Sequence, residues 1–339
     1  MVVSKLLRAV DSVLADAGIV NHLDPHSLVL DGPREINEVL VRHWGGDILD
    51  EMAIITKSII RGFYGKPPEY SYFNSCAQGG RQGFELAKNY PTGIAASAPA
   101  IHWAQWAPAM HWPQILTNIT GEYPHGRELD LLTTLAVQEC DGRDGVVDDI
   151  ILNPKACAFD PFLYIGRNFT CLSEHESMKL SRAAAVIANA SWAGPTDSHG
   201  NFIWYGLNHG TDLSGSVTGT GIAAKIQLFV KKDPNYDYAA IPQQDYEEIM
   251  RKSGSEYDPI VASSNPDLTK FYKAGKKIMT YHGLFIQYDQ VIPIQATERY
   301  CDNIKEFMLE AQEFYRFYEV PGLPHYFGNG QPATVFDVL

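Results

Sequence analysis

The chain has 339 residues, 45% of them hydrophobic and 20% charged, so it can form one large domain or two average ones with a sizeable core. Its 27 basic and 40 acidic side chains give a formal net charge of −13, which argues against a general binding surface for nucleic acid or anionic membranes. No apolar run approaches the length of about 18 residues that would predict a transmembrane helix. Charged residues at positions 5, 8 and 11 interrupt the N-terminal stretch, so we recognise no signal peptide there.

The cysteines are too few and too scattered for a disulfide scaffold, and none forms a C-x-x-C pair. This spacing excludes a zinc ribbon or a thioredoxin-like site. Because their number is odd, at least one thiol has no partner within the chain. The five are Cys76, Cys140, Cys157, Cys171 and Cys301.

The first hundred residues alternate between helical and strand-like patterns. Apolar spacing predicts a helix over 34–65, which a Gly-Lys-Pro-Pro stretch ends. An aromatic, strand-like segment then leads into a turn of small residues, a second helix and a short buried strand. These later elements are predicted at 70–73, 76–83, 84–89 and 94–98. The order strand, sharp turn, helix, strand is typical of an α/β sheet.

The pattern changes between about 103 and 270, where Trp, Tyr, Asp, Gly and Pro become frequent and periodicity weakens. Strand candidates return at 275–281 and 314–320. The simplest architecture is therefore an α/β core interrupted by a large insertion.

The turn after the strand-like segment at 70–73 has the residue spacing of a nucleophile elbow, but the central residue is not a nucleophile. Serine hydrolases of the α/β type need small residues two before and two after the nucleophile, because backbone segments crowd together there. Ser75 and Gly79 satisfy this requirement around Ala77. Neither Ser75 nor Cys76 fits the apex itself, because the residues two before and two after Cys76 are Asn and Gln and the residue two before Ser75 is Phe. An ordinary glycine-rich turn remains the alternative.

Two later residues follow the chain order of a hydrolase triad, which is nucleophile, acid, base. Asp289 lies beyond the strand candidate at 275–281, where an acid at a strand end is expected. His325 lies in the loop after the strand candidate at 314–320. Each residue alone is a weak indication of a triad. The hypothesis rests on their joint placement after Ala77.

From about residue 37 onwards the sequence resembles the tannase and feruloyl esterase family. The residues that carry the resemblance are Tyr72-Phe73, Cys76, Gly79-Gly80-Arg81-Gln82-Gly83, Tyr90-Pro91, Ala98-Pro99-Ala100, Trp103, Asp267-Leu268, Phe271, Tyr281-His282-Gly283, Asp289, Ile292-Pro293, Val320-Pro321-Gly322 and His325. The resemblance implies an α/β-hydrolase core with a large inserted lid domain. We divide the chain into the first part of the core (1–102, elbow at 75–80), the lid (103–270) and the last part of the core (271–339).

By this resemblance Ala77 occupies the position of the nucleophilic serine, Asp289 that of the triad acid and His325 that of the triad base. The backbone N–H of Gln78 is expected to supply half of the oxyanion hole. The resemblance also implies small phenolic esters as substrates and secretion from the cell. Aromatic residues of the lid are expected to line an aryl-ester pocket, although packing within the lid is the alternative for each; they are Trp103, Trp106, Trp112, Trp192, Trp204 and Tyr205.

The departures from the family pattern are as informative as the matches. Ala77 replaces serine, and Tyr326 stands where the family has a cysteine that bridges to the one at Cys76. About three extra residues precede Asp289. The sequence also starts after the family's first strands, which carry part of the oxyanion hole, and stops soon after His325. We therefore expect a core that is incomplete at the N-terminus in a chain trimmed at both ends.

An acidic loop within the insertion has the composition of a calcium site. Asp141, Asp144 and Asp148 are spaced by three and four residues, with glycines between them. Hard oxygen ligands at short spacing suit Ca²⁺, although a solvated acidic turn is the alternative and the spacing is not that of an EF-hand. The family has such a loop, which adds the backbone carbonyls of Val146 and Ile150 as ligands.

The resemblance further implies a disulfide between Cys140 and Cys157, which flank the acidic loop. Cys171 lacks the upstream partner that the family has, so we expect a free thiol there. A bridge between Cys76 and Cys301 is an open but unsupported alternative.

Two functions from different classes remain. The first is a carboxylic ester hydrolase acting on phenolic-acid esters and impaired by Ala77. The second is a non-catalytic binding protein that uses the esterase scaffold. A deliberate Ser-to-Ala change is a third interpretation, which the other departures from the family pattern disfavour.

Overall fold

The computed structural model describes residues 29–90, 92–171, 176–214, 225–238, 241–261, 263–283 and 292–321, together with 323 and 325. The strands are β1 (Leu30–Gly32), β2 (Glu35–Ile36), β3 (Tyr72–Cys76), β4 (Gly93–Ser97), β5 (Asn168–Cys171), β6 (Glu176–Lys179), β7 (Ile278–Gly283) and β8 (Tyr315–Val320). The α-helices are α1 (Glu38–Arg42), α2 (Ile48–Tyr64), α3 (Gln78–Asn89), α4 (Trp103–Ala109), α5 (Trp112–Thr120), α6 (Gly126–Cys140), α7 (Arg182–Ala193), α8 (Gln243–Val261), α9 (Thr269–Lys273), α10 (Ile294–Phe307) and α11 (Ala311–Phe314).

A parallel sheet of four strands in the order β3-β4-β7-β8 is the centre of the described core. Every residue of β4 is buried, as expected for a short apolar strand between two parallel neighbours. Because parallel strands end at the same edge, Cys76, Ser97, Gly283 and Val320 all lie at the carboxyl edge of the sheet. This edge is where α/β sheets place their binding sites.

Two of the predicted helices have different bounds in the structure. The helix predicted at 34–65 is two helices, α1 and α2, separated by a π-helical turn at His43–Asp47 in which Gly46 has a φ of 153°. The helix predicted at 84–89 begins six residues earlier, at Gln78. Glycines at 79, 80 and 83 hid this start, because glycine has a low helix propensity that tertiary packing here overrides.

The region from 103 to 270 is mainly helical where the structure describes it, despite its weak periodicity. Its helices share one large apolar cluster that also includes Ala77. A second cluster lies against the sheet and contains Phe84, Ile94, Phe271 and Tyr300. The division at 102 and 270 stays a prediction. No helix within the described ranges is long and apolar enough to cross a membrane.

The side chain of Arg81 is fully buried and fastens α3 to the rest of the core. Its guanidinium donates to the carbonyl oxygens of Trp44 (3.0 Å) and Gly45 (2.8 Å) and to Oγ of Ser263 (3.0 Å). It also lies over the Trp44 ring, 5.4 Å from the centroid. Burial lowers the pKa of Arg81 to about 10. These bonds join α3 to the turn before α2 and to the segment after α8.

A disulfide joins Cys140, at the end of α6, to Cys157, with an S–S distance of 2.03 Å and a sequence separation of 17. The pairing expected from the family resemblance is confirmed. Cys76 and Cys301 are outside disulfides, so no bridge joins these two. Burial raises the pKa of the Cys301 thiol.

Replacing Arg81 by methionine should lower the free energy of unfolding by about 3 kcal/mol, because the carbonyl of Gly45 and the hydroxyl of Ser263 lose the guanidinium as their donor. Arg81→Lys should recover little of this loss, since an ammonium cannot reproduce the fork of guanidinium donors. Urea denaturation measures both changes. The matched control is Arg167→Met at an exposed arginine over Tyr164, with a change below about 0.5 kcal/mol. Equal effects at the two positions would contradict the anchoring role of Arg81.

The double replacement Cys140→Ser with Cys157→Ser should cost about 3 kcal/mol of stability, because it releases the constraint on a loop of 17 residues in the unfolded chain. Thermal unfolding with and without dithiothreitol provides the control. The reductant should lower the melting temperature of the unsubstituted chain to that of the double variant and leave the variant unchanged. A reductant-insensitive unsubstituted chain would count against the bridge.

Candidate functional site

Ala77 forms the apex of a tight turn between β3 and α3, at the carboxyl edge of the sheet. Its φ of 54° and ψ of −118° lie in a region that non-glycine residues rarely adopt. Two hydrogen bonds hold this conformation: the N–H of Ala77 donates to the carbonyl of Ser97 (3.0 Å), and the N–H of Ala100 donates to the carbonyl of Ala77 (3.0 Å). The turn therefore has the strained geometry of a nucleophile elbow, with a methyl group at its apex.

The glycines after the apex are required by close packing. A methyl group on Gly79 would overlap the side chain of Ser75, and one on Gly80 would lie 2.8 Å from the carbonyl oxygen of Ser97. The small residues at 75 and 79 thus serve the purpose inferred from the sequence. The Ser75 hydroxyl thus lies against Gly79, in the contact between β3 and α3.

Gln78 is the first residue of α3, so its backbone N–H has no acceptor within the helix. Its side chain is engaged elsewhere: Nε2 donates to the carbonyl of Trp44 (3.4 Å), and Oε1 accepts from Nε of Arg81 (3.3 Å). The backbone N–H next to the apex is therefore positioned at a helix N-terminus, where anions are favoured.

The candidate base lies beyond the carboxyl ends of β7 and β8. The carbonyl of Leu323 packs so closely on Gly283, the last residue of β7, that any side chain there would overlap it. His325 follows this contact and is buried, with 7% of its surface exposed. The loop after β8 thus crosses the same edge of the sheet at which Ala77 lies. Asp289, the candidate acid, falls within 284–291 and lies outside the described residues.

His282, one of the residues that carry the family resemblance, is the penultimate residue of β7 and is fully buried. Its Nδ1 forms a hydrogen bond of 3.0 Å with Oγ1 of Thr297 on α10. This bond links the sheet to the helix that follows the segment containing Asp289, so one clear role of His282 is structural.

The aromatic residues expected around an aryl-ester pocket have different surroundings. Trp112 stacks on Tyr246, and Trp192 packs against Phe159 and His209. Trp204 contacts His102, whose pKa burial lowers to about 4.

Trp103 and Trp106 lie on α4, which begins three residues after Ala100. They belong to the same apolar cluster as Ala77. Nε1 of Trp106 donates to the carbonyl of Ala100 (3.2 Å), whose N–H in turn bonds Ala77.

Lys225 is a residue near this site that sequence reasoning missed. Its Nζ lies 4.3 Å from the ring centroid of Trp106 and 5.8 Å from that of Trp103. Burial lowers the pKa of Lys225 to about 8. The only signal in the sequence was a cation directly before the segment Ile226 to Val230, which is apolar except for Gln227.

The acidic loop is organised by hydrogen bonds from its own backbone. The buried carboxylate of Asp141 accepts the N–H groups of Asp148 (3.2 Å), Asp149 (3.1 Å) and Ile150 (3.2 Å). Asp144 accepts those of Val146 and Leu152, both at 3.0 Å, and Asp148 accepts that of Ile150 at 3.2 Å. In the ranges that the structure describes, no three His, Cys, Asp or Glu side chains are grouped so that they could hold a metal ion. The calcium site stays a prediction, and binding would require the carboxylates to turn towards one another.

Comparisons with solved structures show the fold. The chain superposes on the tannin acyl hydrolase from Aspergillus niger with a TM-score of 0.84 at 23% identity, covering 95% of this chain and 66% of that one. It superposes on feruloyl esterase B from Aspergillus oryzae with a TM-score of 0.72 at 23% identity, covering 85% and 59%. The architecture is of the α/β-hydrolase type, as the sequence resemblance implied.

Comparisons of sequence show the family. The family model described as tannase and feruloyl esterase matches residues 33–218 and 184–339. A probable feruloyl esterase of Arthroderma benhamiae is 31% identical over 346 residues, which cover 96% of this chain and 63% of that protein. Feruloyl esterase C of Talaromyces stipitatus is 26% identical over 305 residues, which cover 84% and 55%. The chain thus spans less than two thirds of the length of these relatives, and it belongs to the tannase and feruloyl esterase family.

Proposed function

We propose that this chain has the scaffold of a carboxylic ester hydrolase for esters of phenolic acids, such as galloyl or feruloyl esters, with turnover impaired at the nucleophile. The observation that carries the proposal is the strained turn at Ala77, which retains the elbow geometry at the carboxyl edge of the sheet. Strain of this kind persists in proteins where function uses it. The names of the relatives, tannin acyl hydrolase and feruloyl esterase, support the substrate class.

With serine at position 77, the chemistry would be acyl transfer. The hydroxyl attacks the ester carbonyl while His325 accepts its proton, and His325 then protonates the leaving alcohol. Asp289 orients the imidazole and stabilises its charged form. The N–H of Gln78 stabilises the negative charge that develops on the carbonyl oxygen. The methyl group of Ala77 cannot take the first of these steps.

The second candidate is a non-catalytic binding protein, and the same residue supports it. Ala77 removes the nucleophile and leaves intact the hydrogen bonds that shape the turn. A chain of this kind would bind phenolic esters without consuming them. Direct binding measurements together with activity assays distinguish the two functions, because only the first requires that a serine at position 77 restore hydrolysis.

We also propose that the acidic loop binds one structural Ca²⁺ through Asp141, Asp144, Asp148 and the carbonyls of Val146 and Ile150. Oδ1 of Asp141 accepts two amide N–H groups, whereas Oδ2 of Asp141 and the oxygens of Asp144 and Asp148 accept at most one each, which leaves acceptor capacity for a cation. The disulfide that encloses the loop supports a further proposal, that the protein works outside the cytoplasm, since disulfides persist in oxidising compartments.

The unsubstituted chain should hydrolyse methyl gallate and methyl ferulate only at a residual rate, and Ala77→Ser should raise kcat/KM by about 10³-fold or more. The hydroxyl adds no bulk that the turn cannot accept. Chromatography of the released gallate or ferulate measures the change in kcat/KM.

Two further variants test the assignment of roles. Ala77→Ser with His325→Ala should lose the regained activity, whereas Ala77→Ser with Ser75→Ala should keep it. Activity of the unsubstituted chain that disappears on Ser75→Ala would contradict the assignment of the apex. Activity in neither the unsubstituted chain nor the Ala77→Ser variant would favour the binding protein.

Calcium at a hundredfold excess over its Kd should stabilise the fold by about 2.7 kcal/mol and raise the melting temperature by about 4 °C. Magnesium should have a smaller effect, because it demands a tighter octahedral site. Asp148→Asn should abolish the shift, and Asp130→Asn on α6, outside the loop, should not. An unchanged melting temperature at millimolar calcium would contradict the site.

A further inference from the structure

Lys225 places a cation over two indole rings beside the elbow. Its Nζ lies 4.3 Å from the ring centroid of Trp106 and 5.8 Å from that of Trp103, distances at which an ammonium is attracted to the π face. The residue as a whole is only partly buried, which leaves part of its surface for a ligand to contact. The turn Ile226–Lys231 follows directly and is mostly buried, which fixes the backbone at Lys225.

The described residues around Lys225 compensate the charge of its ammonium only in part. Within the part of the chain that the structure describes, no carboxylate forms an ion pair with Nζ of Lys225, and burial lowers its pKa to about 8. An ammonium has three donors and loses hydration when it is buried, and the faces of two indoles replace only part of that loss. An oxygen that accepts a hydrogen bond would therefore gain energy at this position.

The cation is connected to the apex through short contacts. Trp106, which Lys225 overlies, donates to the carbonyl of Ala100, and Ala100 donates to the carbonyl of Ala77. Trp103, Trp106 and Ala77 are all buried in one apolar cluster. An aryl acyl group held at the apex would thus lie against this apolar cluster, with the ammonium of Lys225 at the margin of the cluster.

We propose that Lys225 is the specificity-determining residue of this site and that its ammonium binds the phenolic oxygen of the aryl acyl group. This inference rests on the proposed function. The phenolic oxygen is the polar end of an otherwise apolar acyl ring, and a hydrogen bond to a charged donor is stronger than one between neutral groups. Lys225 thereby selects acids with a free phenol over those in which the phenol is methylated, because the added methyl group crowds the oxygen that the ammonium approaches.

The test uses the chain as it exists, because Ala77 allows an intact ester to bind without turnover. Kd is measured by titration calorimetry for methyl ferulate and for methyl 3,4-dimethoxycinnamate, which has the same ring without a free phenol. Lys225→Met should weaken the binding of methyl ferulate about tenfold or more, the loss expected for one charged hydrogen bond. It should change the binding of the dimethoxy ester by less than about threefold.

The matched control is Lys231→Met. Lys231 is also half-buried, with Nζ 4.8 Å from the ring centroid of Tyr236, and lies at the far end of the same turn. Its replacement should change neither Kd. Equal losses for the two esters in Lys225→Met, or no loss for either, would overturn the role of Lys225 while leaving the proposed function intact. An unsubstituted chain that binds neither ester would overturn both.

A measurement without any substitution covers the case in which Lys225→Met does not fold. Acetylation of the unsubstituted chain at pH 8, read by mass spectrometry, should modify Lys225 in the absence of ligand. Saturating methyl ferulate should protect Lys225 at least severalfold and leave Lys231 unprotected. Equal modification of Lys225 with and without the ester would contradict the proposal.

Discussion

The buried guanidinium of Arg81 is the interaction on which the arrangement of the site depends. It is a cation with no exposed surface, and its donors end on the carbonyls of Trp44 and Gly45 and on Ser263. Burying a charge is costly unless its hydrogen bonds are made. The hydrogen bonds to these acceptors therefore fix the position of α3 relative to the segments that carry them. Since α3 begins at the residue after Ala77, the anchor that fixes the helix also fixes the turn.

The conformation of the turn at Ala77 does not depend on a nucleophilic side chain. The conformation of Ala77 is strained, and the bonds to Ser97 and Ala100 maintain it although the side chain is only a methyl group. The glycines at 79 and 80 remain without room for a side chain. The turn and the glycines that follow it thus keep the geometry of a nucleophile elbow with a methyl group at the apex, which is why a single hydroxyl is the informative change.

Two charged side chains, Asp141 in the acidic loop and Lys225 near the elbow, are stabilised by backbone dipoles or aromatic rings. Asp141 is buried, and its carboxylate accepts three backbone N–H groups. Lys225 lies against two indole faces. A charge stabilised by dipoles or π faces keeps part of its capacity for an incoming ligand, because no partner of opposite sign neutralises it. This property supports both binding proposals, that of a cation at the loop and that of a phenolic oxygen at the lysine.

The sequence by itself determined the alternation of strand and helix, the small residues at 75 and 79 and, through the family resemblance, the pairing of Cys140 with Cys157. These depend on local periodicity, on side-chain size at a fixed spacing and on the identity of residues in a motif. It did not predict the start of α3, because glycines with low helix propensity occupy its first turn. Only the tertiary structure gave Arg81 its acceptors and placed Lys225 over Trp103 and Trp106. Such contacts join segments far apart in the chain, and the packing of the whole core decides which of them meet.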